Sequence, residues 1–151
     1  HQRSKHRNRW RYDQKDDILY VRRLLERIIN QHTKDVMNQR RLGKTNRMVS
    51  EIGLGTWQLG TKWGDPFNEA EAQKILEASY ESGINLIDTA DIYNDGNSEL
   101  AIGKFVAKHK DHFFVVTKCG RGLNPHTADG YTAENMEQFI DGSLKRLCVE
   151  Q

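Results

Sequence analysis

The sequence predicts an α/β fold of parallel strands covered by helices, and three observations carry that expectation. Residues 52–57, 84–88 and 113–117 are short, largely apolar runs without the in–out alternation of a half-exposed strand. Each is followed by a stretch with apolar residues at helical spacing. The two patterns alternate three times along the chain. Strands buried on both faces and separated by amphipathic helices pair in parallel, because the crossover helix returns the chain to the same end of the sheet. A doubly wound sheet and a (β/α)8 barrel both satisfy this alternation. No GxGxxG stands at the first strand–helix turn, which weighs against the dinucleotide-binding doubly wound form.

A chain of 151 residues suits one domain and is long enough to bury a core. Its net charge of +2 is unevenly distributed. Residues 1–36 hold ten Lys/Arg against five Asp/Glu, and residues 37–151 hold thirteen against sixteen. That split divides the chain into a basic extension, 1–36, and a body, 37–151. Within the extension, residues 1–15 mix Arg and Lys with Trp10 and Tyr12. Such a mixture can contact RNA, but its polarity reads first as a solvated arm, so no nucleic-acid partner is expected. Ile18, Val21, Leu25 and Ile28 then fall at helical spacing, an amphipathic helix suited to docking or self-association. Met37 is a candidate true start, with the extension lying outside the fold of the body.

The two cysteines, Cys119 and Cys148, form no CxxC pair. Neither a disulfide framework nor a zinc site is expected, and a reducing cytosol is the natural compartment. No apolar run approaches the roughly 18 residues that suggest a membrane span. The N-terminus has basic residues but no continuous apolar segment behind them, so it does not read as a secretory signal.

The body opens with a hairpin over residues 41–50, turning at Lys44-Thr45-Asn46. The first run, Ile52-Gly53-Leu54-Gly55-Thr56-Trp57, is a strand whose glycines permit close approach of backbone or ligand. Asn68, with Glu71 three residues on, caps a helix reaching Ser82, with Ala72, Ile75, Leu76, Ser79 and Tyr80 on one face. Gly83 closes it. After the strand 84–88, Asn97 or Ser98 is expected to cap a second helix carrying Leu100, Ile102, Phe105 and Val106. Beyond the strand 113–117 and a Gly/Pro loop, Thr132 caps a third, with Met136, Phe139, Ile140, Leu144 and Leu147 at helical spacing.

Chemistry gathers at the downstream ends of these strands. Asp88 ends the second, Tyr93 lies five residues further in its loop, and Lys118 ends the third. Adjacent strands are about 4.8 Å apart, so Asp88 and Lys118 can pair. A free phenol is a weak acid at neutral pH; a neighbouring ammonium favours the phenolate and makes the phenol a better donor. Taken singly, each residue has a plainer reading: Asp88 as a turn cap, Lys118 as a solvated loop residue, Tyr93 as a packing aromatic. Cys119 reads as a buried small residue rather than a reactive thiol, and Asp91 as a loop residue. His109, His112 and His126 have no ligand-like spacing.

Together these residues carry more weight. Asp88-Thr89-Ala90-Asp91-Ile92-Tyr93, followed by Thr117-Lys118, resembles the signature of the aldo-keto reductase family. So do Gly55-Thr56-Trp57 upstream and Gly96-Asn97-Ser98-Glu99 with Gly103 downstream. The resemblance starts at Arg41-Leu42-Gly43. It implies the (β/α)8 barrel, of which an N-terminal hairpin and three strand–helix units are here. It implies reduction of small aldehydes or ketones to alcohols, with NADPH supplying hydride. In those terms Tyr93 is the general acid, tuned by Lys118 and Asp88, while Thr56, Trp57 and Asp88 line the cofactor pocket.

The family's fourth-strand histidine, which polarises the substrate carbonyl, is matched by none of the six histidines here. A barrel takes roughly 250 residues, so the resemblance covers an N-terminal portion. That portion is expected to leave a raw sheet edge and to lack turnover by itself. The rival reading is a binding or regulatory protein of the same fold.

Overall fold

The computed structural model describes residues 37–61, 65–109 and 111–150. The arm and amphipathic helix expected over residues 1–36 lie outside the described residues. The body begins with an antiparallel hairpin, β1 (Gln39–Arg41) and β2 (Met48–Ser50), in which Gln39 faces Ser50 and Arg41 faces Met48. Its turn is held by the Thr45 hydroxyl, which donates to the Leu42 carbonyl at 2.6 Å. Asn46 there takes a left-handed φ of 57°, which a short amide side chain tolerates.

Three parallel strands follow: β3 (Leu54–Gly55), β4 (Leu86–Asp88) and β5 (Phe114–Val116), in the spatial order β3–β4–β5. Leu54 pairs with Ile87 and Gly55 with Asp88; Ile87 then pairs with Val115 and Asp88 with Val116. The strands are shorter than the apolar runs that announced them. The first is two residues long; just before it, Gly53 lies close to the Leu86 side chain, where an added Cβ would sit 3.2 Å from Cδ2. Asn85 joins hairpin and sheet: its Oδ1 accepts from the Ser50 N–H at 2.7 Å, and its Nδ2 donates to the Met48 carbonyl at 3.1 Å.

The intervening helices are α1 (Glu69–Glu81), α2 (Asn97–Val106) and α3 (Ala133–Leu147). Asn68 caps α1 as its spacing requires, accepting from the Glu71 N–H at 3.1 Å. Gly83, with φ 78°, turns the chain out at the far end. Thr132 caps α3 through the Asn135 N–H. The cap expected for α2 is different. Gly96 is the N-cap, in a left-handed conformation with no side-chain bond. Asn97 and Ser98 lie inside the first turn, and their side chains face backwards to Asn94 and Thr56 instead.

One core cluster lies between sheet and helices: Leu59, Ala72, Leu76, Ile87, Ala101, Ile102, Phe105 and Leu147. Ala72, Leu76, Ile87 and Ile102 are fully buried, and each large aliphatic among them contributes roughly 1.5–3 kcal/mol. Right-handed crossovers between strands in sequential order put their helices on one face. The helices also pack against each other, with α2 against both α1 and α3. The α2–α3 contact is closest at Gly103, where an added Cβ would lie 2.3 Å from the Arg146 carbonyl oxygen and 2.7 Å from the Leu147 carbonyl carbon. Backbone cannot yield as a flexible side chain does, so Gly103→Ala is expected to destabilise the body by about 1–3 kcal/mol. Thermal unfolding should show a clear fall in Tm for Gly103→Ala and little change for Gly55→Ala, whose Cβ would meet nothing within 4 Å.

Candidate active site

Side chains on a strand alternate between its two faces, and that parity builds the site. Ile87 of β4 points into the helix-side core, so Asp88 points to the other face. Val115 packs against the same core, which places Phe114, Val116 and, two residues on, Lys118 on the face that Asp88 occupies. The backbone ladder continues past the strands to keep this register: the Thr89 N–H donates to the Val116 carbonyl at 2.8 Å and the Asp91 N–H to the Lys118 carbonyl at 3.0 Å.

The result is a close ion pair at the strands' C-terminal ends. Lys118 Nζ donates to Asp88 Oδ1 at 2.6 Å, to Oδ2 at 2.8 Å and to the Thr89 carbonyl at 2.8 Å. All three ammonium donors are thereby directed, although both side chains remain about half exposed. Tyr93 completes the group, with its ring centroid 5.5 Å from Lys118 Nζ, inside the range of a cation–π contact. It is delivered by a tight turn, Tyr93–Gly96, in which Asn94 and Asp95 both take left-handed φ values of 52° and 54°. Asn and Asp are the non-glycine residues that accept this conformation most readily. The turn is pinned by Asn94 Nδ2, which donates to the Leu59 carbonyl at 3.2 Å and to the Ser98 hydroxyl at 2.8 Å.

Thr56 and Trp57 follow β3 and part company where the chain enters the turn 57–60. Thr56 is completely buried on the helix side, and both its N–H and its hydroxyl donate to the Asp88 carbonyl, at 3.0 and 2.9 Å. It therefore anchors Asp88 from beneath. Trp57 is 56% exposed, beside the bare surface of Gly55. Cys119 is exposed rather than buried, because it falls in the loop beyond Lys118. Asp91 is buried, consistent with a loop role, and its Oδ2 has no hydrogen-bond partner among the described residues. His109 and His112 pack on Tyr80, with centroid distances of 4.2 and 4.8 Å. His126 is an exposed partner of the Tyr131 hydroxyl. No group of residues able to hold a metal occurs among the described residues.

One buried charge appears in the sequence only as part of the Gly96-Asn97-Ser98-Glu99 motif, with no role of its own predicted. Glu99 on α2 is fully buried. Its Oε1 accepts from the Thr117 hydroxyl at 2.6 Å and its Oε2 from Arg146 Nε at 2.7 Å. The available signal was its spacing: Glu99 lies three residues before Ile102, on the apolar face of its helix. An acid there must find a cation or pay desolvation.

A parallel α/β sheet with an acid, an amine and a phenol at its C-terminal ends places the chain in the α/β class, whose sites gather at those ends. Comparison with known proteins gives the family. The model of the aldo/keto reductase family matches residues 51–151, and the chain belongs to that family. Its structure is similar to aldo-keto reductase AKR11C1 from Bacillus halodurans in its holo form, with TM-score 0.63 and 31% identity over 76% of this chain and 37% of that one. The glycerol dehydrogenase AKR11B4 from Gluconobacter oxydans is similar at TM-score 0.59 and 28% identity, over 78% and 38% of the two chains. An aldo-keto reductase from Klebsiella pneumoniae solved in complex with NADPH is similar at TM-score 0.59 and 27% identity, over 77% and 37%. The chain spans less than half the length of each. The architecture is accordingly a partial (β/α)8 barrel whose sheet is not closed among the described residues.

Removing one partner of a buried ion pair leaves an uncompensated charge, at a cost of about 3–5 kcal/mol. Arg146→Met is expected to destabilise the body by that order, whereas Glu99→Gln, which removes the charge itself, should cost much less. Urea unfolding of the two variants checks the ordering. Equal losses would mean that charge at Glu99 is immaterial.

Proposed function

We propose that this chain carries the proton-donating apparatus of an NADPH-dependent reductase that converts small aldehydes or ketones to alcohols in the cytosol. The observation that carries the reading is the Lys118 ammonium, fixed by both oxygens of Asp88 and lying 5.5 Å from the centre of the Tyr93 ring. As a substrate carbonyl becomes an alcohol, its oxygen must acquire a proton. Tyr93 is the donor in reach of that face, and the charge left on its oxygen is stabilised by Lys118. Both side chains of the Lys118–Asp88 pair are about half exposed, so solvent screens that attraction.

Asp88 has two duties in this scheme. It keeps the ammonium from swinging into solvent, and it supplies a hydrogen-bond acceptor at the mouth of the site. Thr56 holds the Asp88 backbone from the helix side. NADPH, when bound, supplies hydride. The fit of a flat ring is supported by the open face at Gly55, where a Cβ would touch nothing within 4 Å, and by the exposed Trp57 indole beside it. Two free cysteines, both exposed, accord with a reducing compartment. No helix among the described residues is long and apolar enough to cross a membrane.

Tyr93→Phe removes the proton and keeps the ring. In the longest native form of the polypeptide it should lower kcat for aldehyde reduction by about 100-fold or more, with NADPH affinity within about twofold. Following NADPH oxidation by absorbance and NADPH binding by fluorescence separates the two. Turnover retained in Tyr93→Phe removes this residue from the mechanism. A parent protein that binds NADPH but oxidises none of it with any aldehyde favours the non-catalytic, regulatory reading.

A further inference from the structure

We propose that Glu99 is a positioning residue for the acid–base set, fixing Lys118 through Thr117 and the Tyr93 turn through Arg146. The inference rests on the carbonyl-reduction reading for its consequence, but not for its geometry. Glu99 touches neither Lys118 nor Tyr93 and sits on the helix side of the sheet. Its carboxylate accepts from Thr117, the residue immediately before Lys118, at 2.6 Å. Thr117 and Lys118 project to opposite faces of one strand end. Rotating the Thr117–Lys118 peptide would therefore release the Thr117 hydroxyl from Glu99 as it swung the Lys118 side chain away from Asp88.

The other carboxylate oxygen leads to the phenol. Arg146, on the last turn of α3, donates to Glu99 Oε2 and keeps 29% of its side chain exposed. Its aliphatic stem lies on Gly96, the residue that ends the Tyr93 turn; a Cβ at Gly96 would be 2.9 Å from Arg146 Cδ and 3.2 Å from Nε. The φ of 84° at Gly96 is open to glycine and strained for other residues. One buried acid thus has a two-bond path to Lys118 and, through a single arginine, a packing contact with the turn that carries Tyr93. A carboxylate is suited to this because it accepts from two directions, and a fully buried one has no water to exchange for either partner.

A structural tie between α2 and α3 would need only the Glu99–Arg146 half. The Thr117 half is what the proposal adds, and Thr117→Val removes it while leaving the ion pair. The test combines kinetics with NMR of the Lys118 side chain, using 13C-labelled lysine and Lys118→Met for assignment, on the longest native form of the polypeptide. In Thr117→Val the Lys118 signal is expected to move toward its position in Asp88→Asn, and kcat to fall by about tenfold to a hundredfold with little change in KM. Thr117→Ser, which keeps the hydroxyl, should restore both. Glu99→Gln, which keeps an acceptor for Thr117, should fall between parent and Thr117→Val. A Lys118 signal in Thr117→Val that coincides with the parent's overturns the proposal, whether or not the parent turns over substrate. A displaced signal in a parent that oxidises no NADPH upholds the positioning and overturns the carbonyl-reduction reading instead. A displaced signal with unchanged kcat overturns the link to catalysis.

Discussion

The C-terminal face of this sheet depends on a backbone ladder that runs beyond the strands themselves. Thr56 donates to the Asp88 carbonyl, Thr89 to Val116 and Asp91 to Lys118. Because side chains alternate, keeping these three bonds in step decides which residues meet. Asp88 and Lys118 share the face away from the helices. Thr56, Thr89 and Thr117 share the helix side, where Thr56 and Thr89 are fully buried. A slip of one residue in β5 would turn Lys118 into the helix layer and bring Thr117 out beside Asp88. The site is thus a consequence of register before it is a consequence of side-chain chemistry.

Burying Glu99 within the helix-side layer would be costly for a lone carboxylate. It is tolerated because each oxygen has a directed donor and one of those donors is a guanidinium. Arginine suits the position better than lysine would. Its delocalised charge is more weakly hydrated, and its stem lies along Gly96 while Nε reaches inward. Gly96 and Gly103 bring α3 close enough for that reach: a Cβ at either would strike Arg146 within 3 Å. Small residues and a buried ion pair therefore act together here. The glycines set the approach, and the pair fixes the azimuth.

What the sequence disclosed was local or periodic. Asn68 with Glu71, Thr132 and Gly83 mark helix ends because capping involves neighbours along the chain. Asp88 and Lys118 were found together because each follows an apolar run, and adjacent parallel strands bring their ends level. The expected cap at Asn97 or Ser98 went to Gly96, since two consecutive left-handed residues, Asn94 and Asp95, close the turn earlier. Thr56 and Trp57 were grouped as neighbours in a motif, yet the chain leaves the strand here, with Thr56 in the core and Trp57 at the surface in the following turn. Glu99 stood in the sequence within the Gly96-Asn97-Ser98-Glu99 motif and as an acid on an apolar helix face, with no role assigned to it. Its partners lie 18 and 47 residues away, at separations that no local pattern reports.

The acid–base group falls within residues 88–118, a single strand–helix–strand unit, but that unit does not fix it alone. Without α3 there is no Arg146 to neutralise Glu99, and without Glu99 the strand end at Thr117 loses its bond to the helix layer. The bonds that tie Asp88, Tyr93 and Lys118 to the body therefore extend from β3, which anchors the Asp88 carbonyl through Thr56, to the last turn of α3. Among the described residues, the bonds and contacts that orient the three side chains arise within residues 54–147. In this part of the fold, the Asp88–Tyr93–Lys118 geometry is assembled by adjacent strands and linked to one pair of charges between two helices.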